Sequence, residues 1–313
     1  MPRVRRAKRA AVAMLVRNRQ RLVVAAPPPV ARAVVVRECS CCRGRRRSGS
    51  VSVVELSVLV EDLMAHVTMP PTGIRWWRDD ACLNFQPGPY PYFANVSAVR
   101  SSEASFAELV ATAKGWFGAR GREDFLWILG PSSTPSDLRD QLVQRGAQVL
   151  GNGTAMTMDT APPAVAGVVI KEVESPADLL TARRIMFADE ITGQVSAEQD
   201  VDLVRRNAEA WAAVQAMNGT RRNYLAFIDD EPVAAGGLQL CDQGFAVLAG
   251  SATVPAARGR GCYRALVHHR WTAAQGAGIR HLAIQASDNS APILRRIGFT
   301  TCAALTIMKQ SCV

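Results

Sequence analysis

A mixed α/β fold, an α+β arrangement of helices on a mixed sheet, is predicted beyond about residue 53 from three observations. Apolar runs of strand length alternate with segments of helical spacing. Ser, Pro and Gly stand at the junctions, where caps and turns need them. The apolar run Ala246–Val254 passes through Ala256-Ala257-Arg258-Gly259-Arg260-Gly261 into a helical pattern carried by Ala265, Leu266, His269, Thr272 and Ala273. A strand that turns through glycines into a helix presents free N–H groups at one point and forms an anion site. Two arginines add charge that does not depend on pH. The loop lacks the three glycines of a dinucleotide fingerprint and the Lys-Ser/Thr of a P-loop.

The elements follow in order. Val53–Val67 has helical spacing and stops at Pro70-Pro71, and Trp76, Trp77 and Phe85 fall in a strand-and-turn region closed by Pro87-Gly88-Pro89. Ser102 caps a helix to Phe117 whose stripe is Phe106, Leu109, Val110, Ala113, Trp116 and Phe117. Phe125–Leu129 is a buried strand. Ser133–Ser136 opens a helix to Arg145, and Gln148–Leu150 with Thr154–Met158 reads as a hairpin. After a linker, Val168–Val173 is a strand, Ser175-Pro176 starts a helix to about Ala188, and Ser196 caps a second helix with Leu203, Val204, Ala208, Trp211 and Val214 inward. Asn223–Ile228 and Val233–Leu240 are strands joined by a tight turn at Asp229–Pro232, and Gly244–Val254 is a third. The helix after the Arg-Gly loop runs to about Gln275. His281–Ala286 is a strand, Ser290–Arg296 a helix, and Phe299–Thr301 with Leu305–Lys309 a final strand pair.

Charge separates the chain into two parts. Its formal net charge is +10, but residues 1–50 hold 14 Lys and Arg against one acid, Glu38, while the rest holds 23 basic and 26 acidic residues. The near-neutral body argues against nucleic acid as a partner. Residues 1–52 read as a disordered basic tail. The abrupt shift of composition leads to the expectation that the tail is not part of the native product, with translation starting nearer Met64 or Met69; an Arg-rich organellar leader also fits its composition. No apolar run reaches the ~20 residues of a membrane span. The eight cysteines include a single Cys-x-x-Cys spacing, Cys39 to Cys42, with no second pair or Cys/His spacing to complete a zinc site, so no metal is expected, and a reducing, cytoplasmic setting suits them.

A faint repeat is visible: strand, turn, helix and closing strands in Phe125–Met158 recur in His281–Lys309. At this point the second half resembles the GNAT superfamily, the GCN5-related N-acetyltransferases. The resemblance is carried by Ala252-Thr253-Val254-Pro255-Ala256-Ala257-Arg258-Gly259-Arg260-Gly261, similar to the family's R/Q-x-x-G-x-G/A signature, and by Leu294-Arg295-Arg296-Ile297-Gly298-Phe299. It implies two GNAT-like acyl-CoA N-acyltransferase domains, a degenerate one over 53–160 and a complete one over 168–313, with a linker at 161–167.

The resemblance also implies a site. Backbone N–H groups of Gly259, Arg260, Gly261, Cys262 and Tyr263, with Arg258, would hold the pyrophosphate of acetyl-CoA. The edge near Thr253 and Val254 would pair with the pantetheine arm, beside a bulge, and Asn289 would touch that arm or cap the helix at Ser290. Two positions depart from the family pattern: Tyr263 replaces the last Gly or Ala of the loop, and Leu294 stands where a thiolate-protonating tyrosine is usual. Glu190, at the end of the first helix of this half, is the candidate base or amine anchor. His268-His269 and Ser251 are weaker candidates. The implied function is acetyl-CoA-dependent N-acetylation of a primary amine on a small acceptor. The alternative is a non-catalytic acetyl-CoA-binding or sensing protein.

Overall fold

The computed structural model describes residues 53–88 and 91–313. The basic tail at 1–52, with Cys39, Cys41 and Cys42, lies outside the described residues, as do residues 89 and 90 of the expected proline turn. The helices are α1 (Val53–Glu61), α2 (Leu63–His66), α3 (Glu103–Gly118), α4 (Leu138–Gln144), α5 (Pro176–Phe187), α6 (Ala197–Arg205), α7 (Asn207–Gln215), α8 (Cys262–Gly276) and α9 (Ala291–Ile297). The strands are β1 (Ile74–Trp77), β2 (Cys82–Phe85), β3 (Ala94–Ser97), β4 (Asp124–Leu129), β5 (Gln148–Met158), β6 (Val169–Glu172), β7 (Arg221–Ile228), β8 (Glu231–Leu240), β9 (Phe245–Thr253), β10 (His281–Ser287) and β11 (Thr300–Ser311).

All the strands join one mixed sheet in the order β1-β2-β3-β4-β11-β5-β10-β9-β8-β7-β6. The closing strands of the two halves are exchanged. β5 pairs with β10, from Leu282↔Met158 to Ser287↔Gly153, and β11 pairs with β4, from Thr306↔Leu129 to Ser311↔Asp124. β5 and β11 also pair with each other along nearly their whole length. Each is therefore one long strand rather than the expected hairpin. Every residue between Gln148 and Met158 can find a ladder partner only if the strand stays extended across both halves. The ladder between β5 and β11 carries two irregularities, with Cys302 the extra residue on β11 and Leu150 the extra residue on β5.

Helices cover both faces. α3 and α4 pack Phe106, Leu109, Phe117 and Leu142 on Phe125 and Trp127, and α8 and α9 pack Leu266, Val267 and Leu294 on Tyr224, Leu238 and Leu282. The alternation of side chains along β4, β5 and β11 puts these helices on one face. On the other face α5 buries Leu179, Ala182 and Ile185 against Leu225 and Ala235, and α1 lays Leu56 and Val60 across Ile128, Ala155, Ala283 and Leu305. Gln285 of β10 donates to the Glu61 carbonyl at 2.8 Å. A chain starting at Met64 or Met69 would lack α1 and expose this apolar bed, so the helix belongs to the folded body.

Local chemistry explains the boundaries. Ser102, Ser175 and Ser196 cap their helices as expected. The helix after Ser196 divides in two at Arg206, and there Arg183 donates to the Leu203 carbonyl at 3.0 Å. Val204, expected inward, is exposed, while Leu203 is buried. Helix α4 begins later than expected, because Thr134 is held in a backbone bridge to Arg100. Asp229 and Asp230, both with positive φ, form the two-residue turn between β7 and β8.

Two outcomes follow from this architecture. Residues 53–160 and 161–313, produced as separate chains, each lack a central strand of their partner. Neither is expected to show cooperative thermal unfolding alone, whereas co-expression should give a one-to-one complex on size-exclusion chromatography. The second outcome concerns α1 and α2. Burial raises the Asp62 carboxyl to about 6, with Arg100 at 2.8 Å opposing the rise, and lowers His66 to about 4. Between pH 4 and 6 native Asp62 keeps a proton that the unfolded chain releases, so its contribution weakens stability as pH rises, by about 2–3 kcal/mol at most. His66 acts with the opposite sign, because the unfolded chain takes up a proton below about pH 6.5 and the native chain does not. Asp62→Asn leaves the His66 effect unopposed. The urea midpoint of the variant should fall more steeply than that of the wild type from pH 6.5 to 4.

Candidate active site

The sheet opens in the middle. Parallel pairing of β9 with β10 stops after Phe245↔His281, Ala246↔Leu282 and Val247↔Ala283. Beyond that, β9 keeps β8 on one side and β10 keeps β5 on the other. Leu248–Thr253 and Ile284–Ser287 therefore form the arms of a V. The cause is a bulge: Gly250, at φ +68°, is the extra residue between the pairs Gly237↔Ala249 and Gly236↔Ser251. It turns β9 away from β10.

The arm formed by β9 ends in the anion loop. A single 3-10 turn, Pro255–Ala257, leads to Gly259 at φ +80° and Gly261 at φ +86°, where a residue with Cβ is disfavoured. α8 then starts, and the N–H groups of its first turn, from Cys262 onward, have no acceptor within the helix. The space beside Gly259 is open. Free donors, the positive helix end and the arginines fit a pyrophosphate.

The expected site residues divide into groups. The N–H groups of Gly259, Gly261, Cys262 and Tyr263 belong to the loop, but the Arg260 N–H leans to the Ala257 carbonyl at 3.4 Å. The Arg260 guanidinium lies 3.7 Å from Asp229. Arg258 holds the loop together, donating to the Glu190 carbonyl at 2.7 Å and to the Thr253 carbonyl at 3.3 Å. The Val254 N–H is committed to Val233 of β8, and alternation leaves Thr253 facing the V. Cys262 turns its thiol into the core, where burial raises its pKa. The Tyr263 ring also packs inward, and burial raises its phenol. Asn289 is exposed in the turn after β10 and does not cap α9; that turn is fastened by Ser287 and Ser290.

Glu190 is exposed on the loop after α5. Its neighbour Asp189 accepts the N–H groups of Ile191 and Thr192, which lower its pKa. Neither histidine faces the V. His268 Nδ1 lies 2.7 Å from the Pro162 carbonyl, and His269 meets Tyr224 edge-on, its pKa lowered by burial and by His268 and Arg270. Leu294 is fully buried.

Two residues that the sequence reading passed over stand at the apex. Arg270 of α8 is 0 % exposed. It donates to the Leu266 carbonyl at 3.0 Å, the Gly237 carbonyl at 3.0 Å and Ser251 Oγ at 2.9 Å, and its Nη2 has no protein partner. Burial lowers its pKa to about 10. Arg221 of β7 reaches the other face of the same bulge, with its pKa also lowered to about 10 by burial. The adjacent glycines Gly236-Gly237 were the signal: a Cβ on the first would stand 2.9 Å from Arg270 Nη1, and on the second 2.7 Å from Arg221 Nη2.

The equivalent place in the first half is closed. There β3 and β4 pair in parallel at Asn95↔Leu126 and Val96↔Trp127, and the Thr134 N–H reaches the Val99 carbonyl beyond them. Buried Glu61 fills the adjoining space and accepts from Ser132 N and Oγ at 2.9 and 3.0 Å.

With this geometry in place, residues 188–299 match the model of the acetyltransferase (GNAT) family. This stretch of the chain belongs to the GNAT family. The family implies acyl transfer from an acyl-CoA. No curated protein matches the chain. Among solved structures, the chain is similar to a GCN5-related N-acetyltransferase from Kribbella flavida, at 16% identity and TM-score 0.59 over 82% of this chain and 95% of that one. It is similar to a tandem GNAT protein from the clavulanic acid biosynthesis pathway, at 14% and 0.54 over 81% and 88%. A functionally unknown conserved protein from Staphylococcus epidermidis matches at 10% and 0.55 over 77% and 95%. At these identities the likeness is one of fold. Among the described residues no helix is long and apolar enough to cross a membrane, and no cluster of three or more His, Cys, Asp or Glu could hold a metal.

The loop can be tested at Gly259, where a side chain meets open space and Asp and Asn tolerate the left-handed backbone about equally. Gly259→Asp should weaken acetyl-CoA binding at least about tenfold, the effect of ~1.4 kcal/mol of charge repulsion. Gly259→Asn should stay within about threefold of wild type by the same measure. Calorimetric titration with acetyl-CoA separates the two.

Proposed function

We propose that this protein transfers the acetyl group of acetyl-CoA to the primary amine of a small acceptor. The observation that carries the reading is the V between β9 and β10, one arm of which leads directly into the Gly259–Gly261 loop. Bound acetyl-CoA supplies an activated acyl carbon. The N–H groups of Gly259, Gly261, Cys262 and Tyr263 hold its pyrophosphate, and the free edge of β9 around Thr253 pairs with the pantetheine arm. A backbone N–H at the bulge polarises the thioester carbonyl. The amine attacks directly, a C–N bond forming as the C–S bond breaks.

Proton handling follows from what the V lacks. Strand β9 carries no carboxylate, so the amine releases its proton to water. The Arg270 charge beneath the apex favours the free amine over the ammonium ion and favours an anionic leaving group. That suits a buried Leu294 in place of a proton donor, since a thiol of pKa ~8.5 leaves acceptably as thiolate. Glu190 is the acidic group placed to attract a cationic acceptor. In this reading residues 53–160 form a degenerate copy that shares its last strand with the complete copy at 168–313, and 161–167 links them.

The buried Leu294 also favours the second reading, an acetyl-CoA-binding or sensing protein without turnover. A CoA-release assay over a panel of primary amines decides between them once acetyl-CoA binding has been measured. For the enzyme, kcat/KM should rise about tenfold per pH unit from pH 6.5 toward the pKa of the acceptor amine, ~10 for alkyl amines. Binding with no CoA release for any amine would establish the second reading.

A further inference from the structure

The apex of the V carries two cations, Arg270 fully buried and Arg221 partly buried, and no anion to match them. Arg270 lies on the face covered by α8. Arg221 lies on the opposite face: it shares its side of β7 with Asn223 and Leu225, and Leu225 packs under α5. Its Nη2 stands 2.7 Å from the point where a Cβ on Gly237 would be, and the Ala249 carbonyl stands 2.6 Å from the same point. The guanidinium therefore sits beside the bulge, within about one strand spacing, ~5 Å, of the backbone where acyl transfer would occur.

The surroundings of Arg221 are polar but neutral. Asn223 Oδ1 accepts from its Nη2 at a long 3.4 Å. Its cross-strand neighbour Gln239 spends its amide on the Thr68 carbonyl at 2.6 Å. No carboxylate approaches Arg221 among the described residues; burial alone shifts its pKa. A partly buried guanidinium held by one weak neutral acceptor has most of its binding capacity unspent, and its fork matches a carboxylate.

The two faces have different tasks. The anion loop and α8 bring the CoA portion to the α8 face. The amine must then attack from the other face, where α5 places Met186 against Gly250 and where Arg221 lies.

We propose that Arg221 anchors the carboxylate of the acceptor, and that the acceptor is an α- or β-amino acid acetylated on its amine. This rests on the reading of the V as the acetyl-transfer site. The short distance from Arg221 to the bulge sets the spacing: one or two carbons separate amine from carboxylate. The exposed Glu190 then complements Arg221, attracting the ammonium end as the arginine fixes the other.

The test uses the full chain saturated with CoA, titrated calorimetrically with each proteinogenic amino acid, with β-alanine, and with their carboxamides. At least one acid should bind about tenfold or more tightly than its amide, the scale of a charge-assisted bidentate pair. Arg221→Gln should erase that preference, and Arg221→Lys should keep part of it. Acetyl-CoA titration of the same variants reports whether they remain folded; if Arg221→Gln is not, the Lys variant and the wild-type acid/amide ratio carry the decision. Amides that bind the wild type as well as their acids do, a preference that persists in Arg221→Gln, or no binding by any acid would overturn the proposal. Failure of acetyl-CoA itself to bind would instead sink the acetyl-transfer reading, so the two failures are distinct.

Discussion

The site depends on strand β9 losing its β10 partner after Val247. An interior strand normally satisfies both edges. Here one edge from Leu248 to Thr253 faces a gap, without a strand partner among the described residues, and the Thr253 carbonyl accepts from Arg258 instead. Gly250 imposes this by inserting one residue opposite Gly236-Gly237, which tilts the strand and cannot be undone without losing the β8 ladder. The Arg258–Gly261 loop is useful only because the tilted strand delivers it to the same cleft.

A sheet with an opening in its centre needs support elsewhere. The exchange of β5 and β11 provides it. β10 is held along its outer edge by β5 even where it has left β9, so the V has one rigid arm on each side. Helix α1 crosses these strands on the same face as α5 and is tied to β10 through Gln285. The first half thus stabilises the site of the second while its own cleft is closed by Glu61 and the Arg100–Thr134 bridge.

Electrostatics at the apex then sets the chemistry. Two guanidiniums flank one bulge, on opposite faces, where glycines leave room for them. Their field disfavours cations and favours anionic groups in the V. The thiols are remote from this work: Cys262 points into the core with a raised pKa, and Cys82 and Cys241 are buried and pushed up to about 12.

The sequence by itself determined the class of fold, most element positions and the anion loop. These depend on short-range chemistry: helical spacing at Phe106–Phe117, serine caps, the Asp229-Asp230 turn, and the glycines at 259 and 261. The tertiary structure decided which strands are neighbours, because a closing strand carries the same alternation whether it returns to its own half or crosses to the other. It also decided that Cys262 and Tyr263 face inward, that the histidines serve the linker and Tyr224, and that Arg258 braces the loop against Glu190. Arg221 and Arg270 are separated by 49 positions in the chain and look like ordinary solvated charges in it. Only the packing of α8 and β7 against opposite sides of one bulge brings them together, because burial without a counter-charge is a property of the fold and not of any short stretch of sequence.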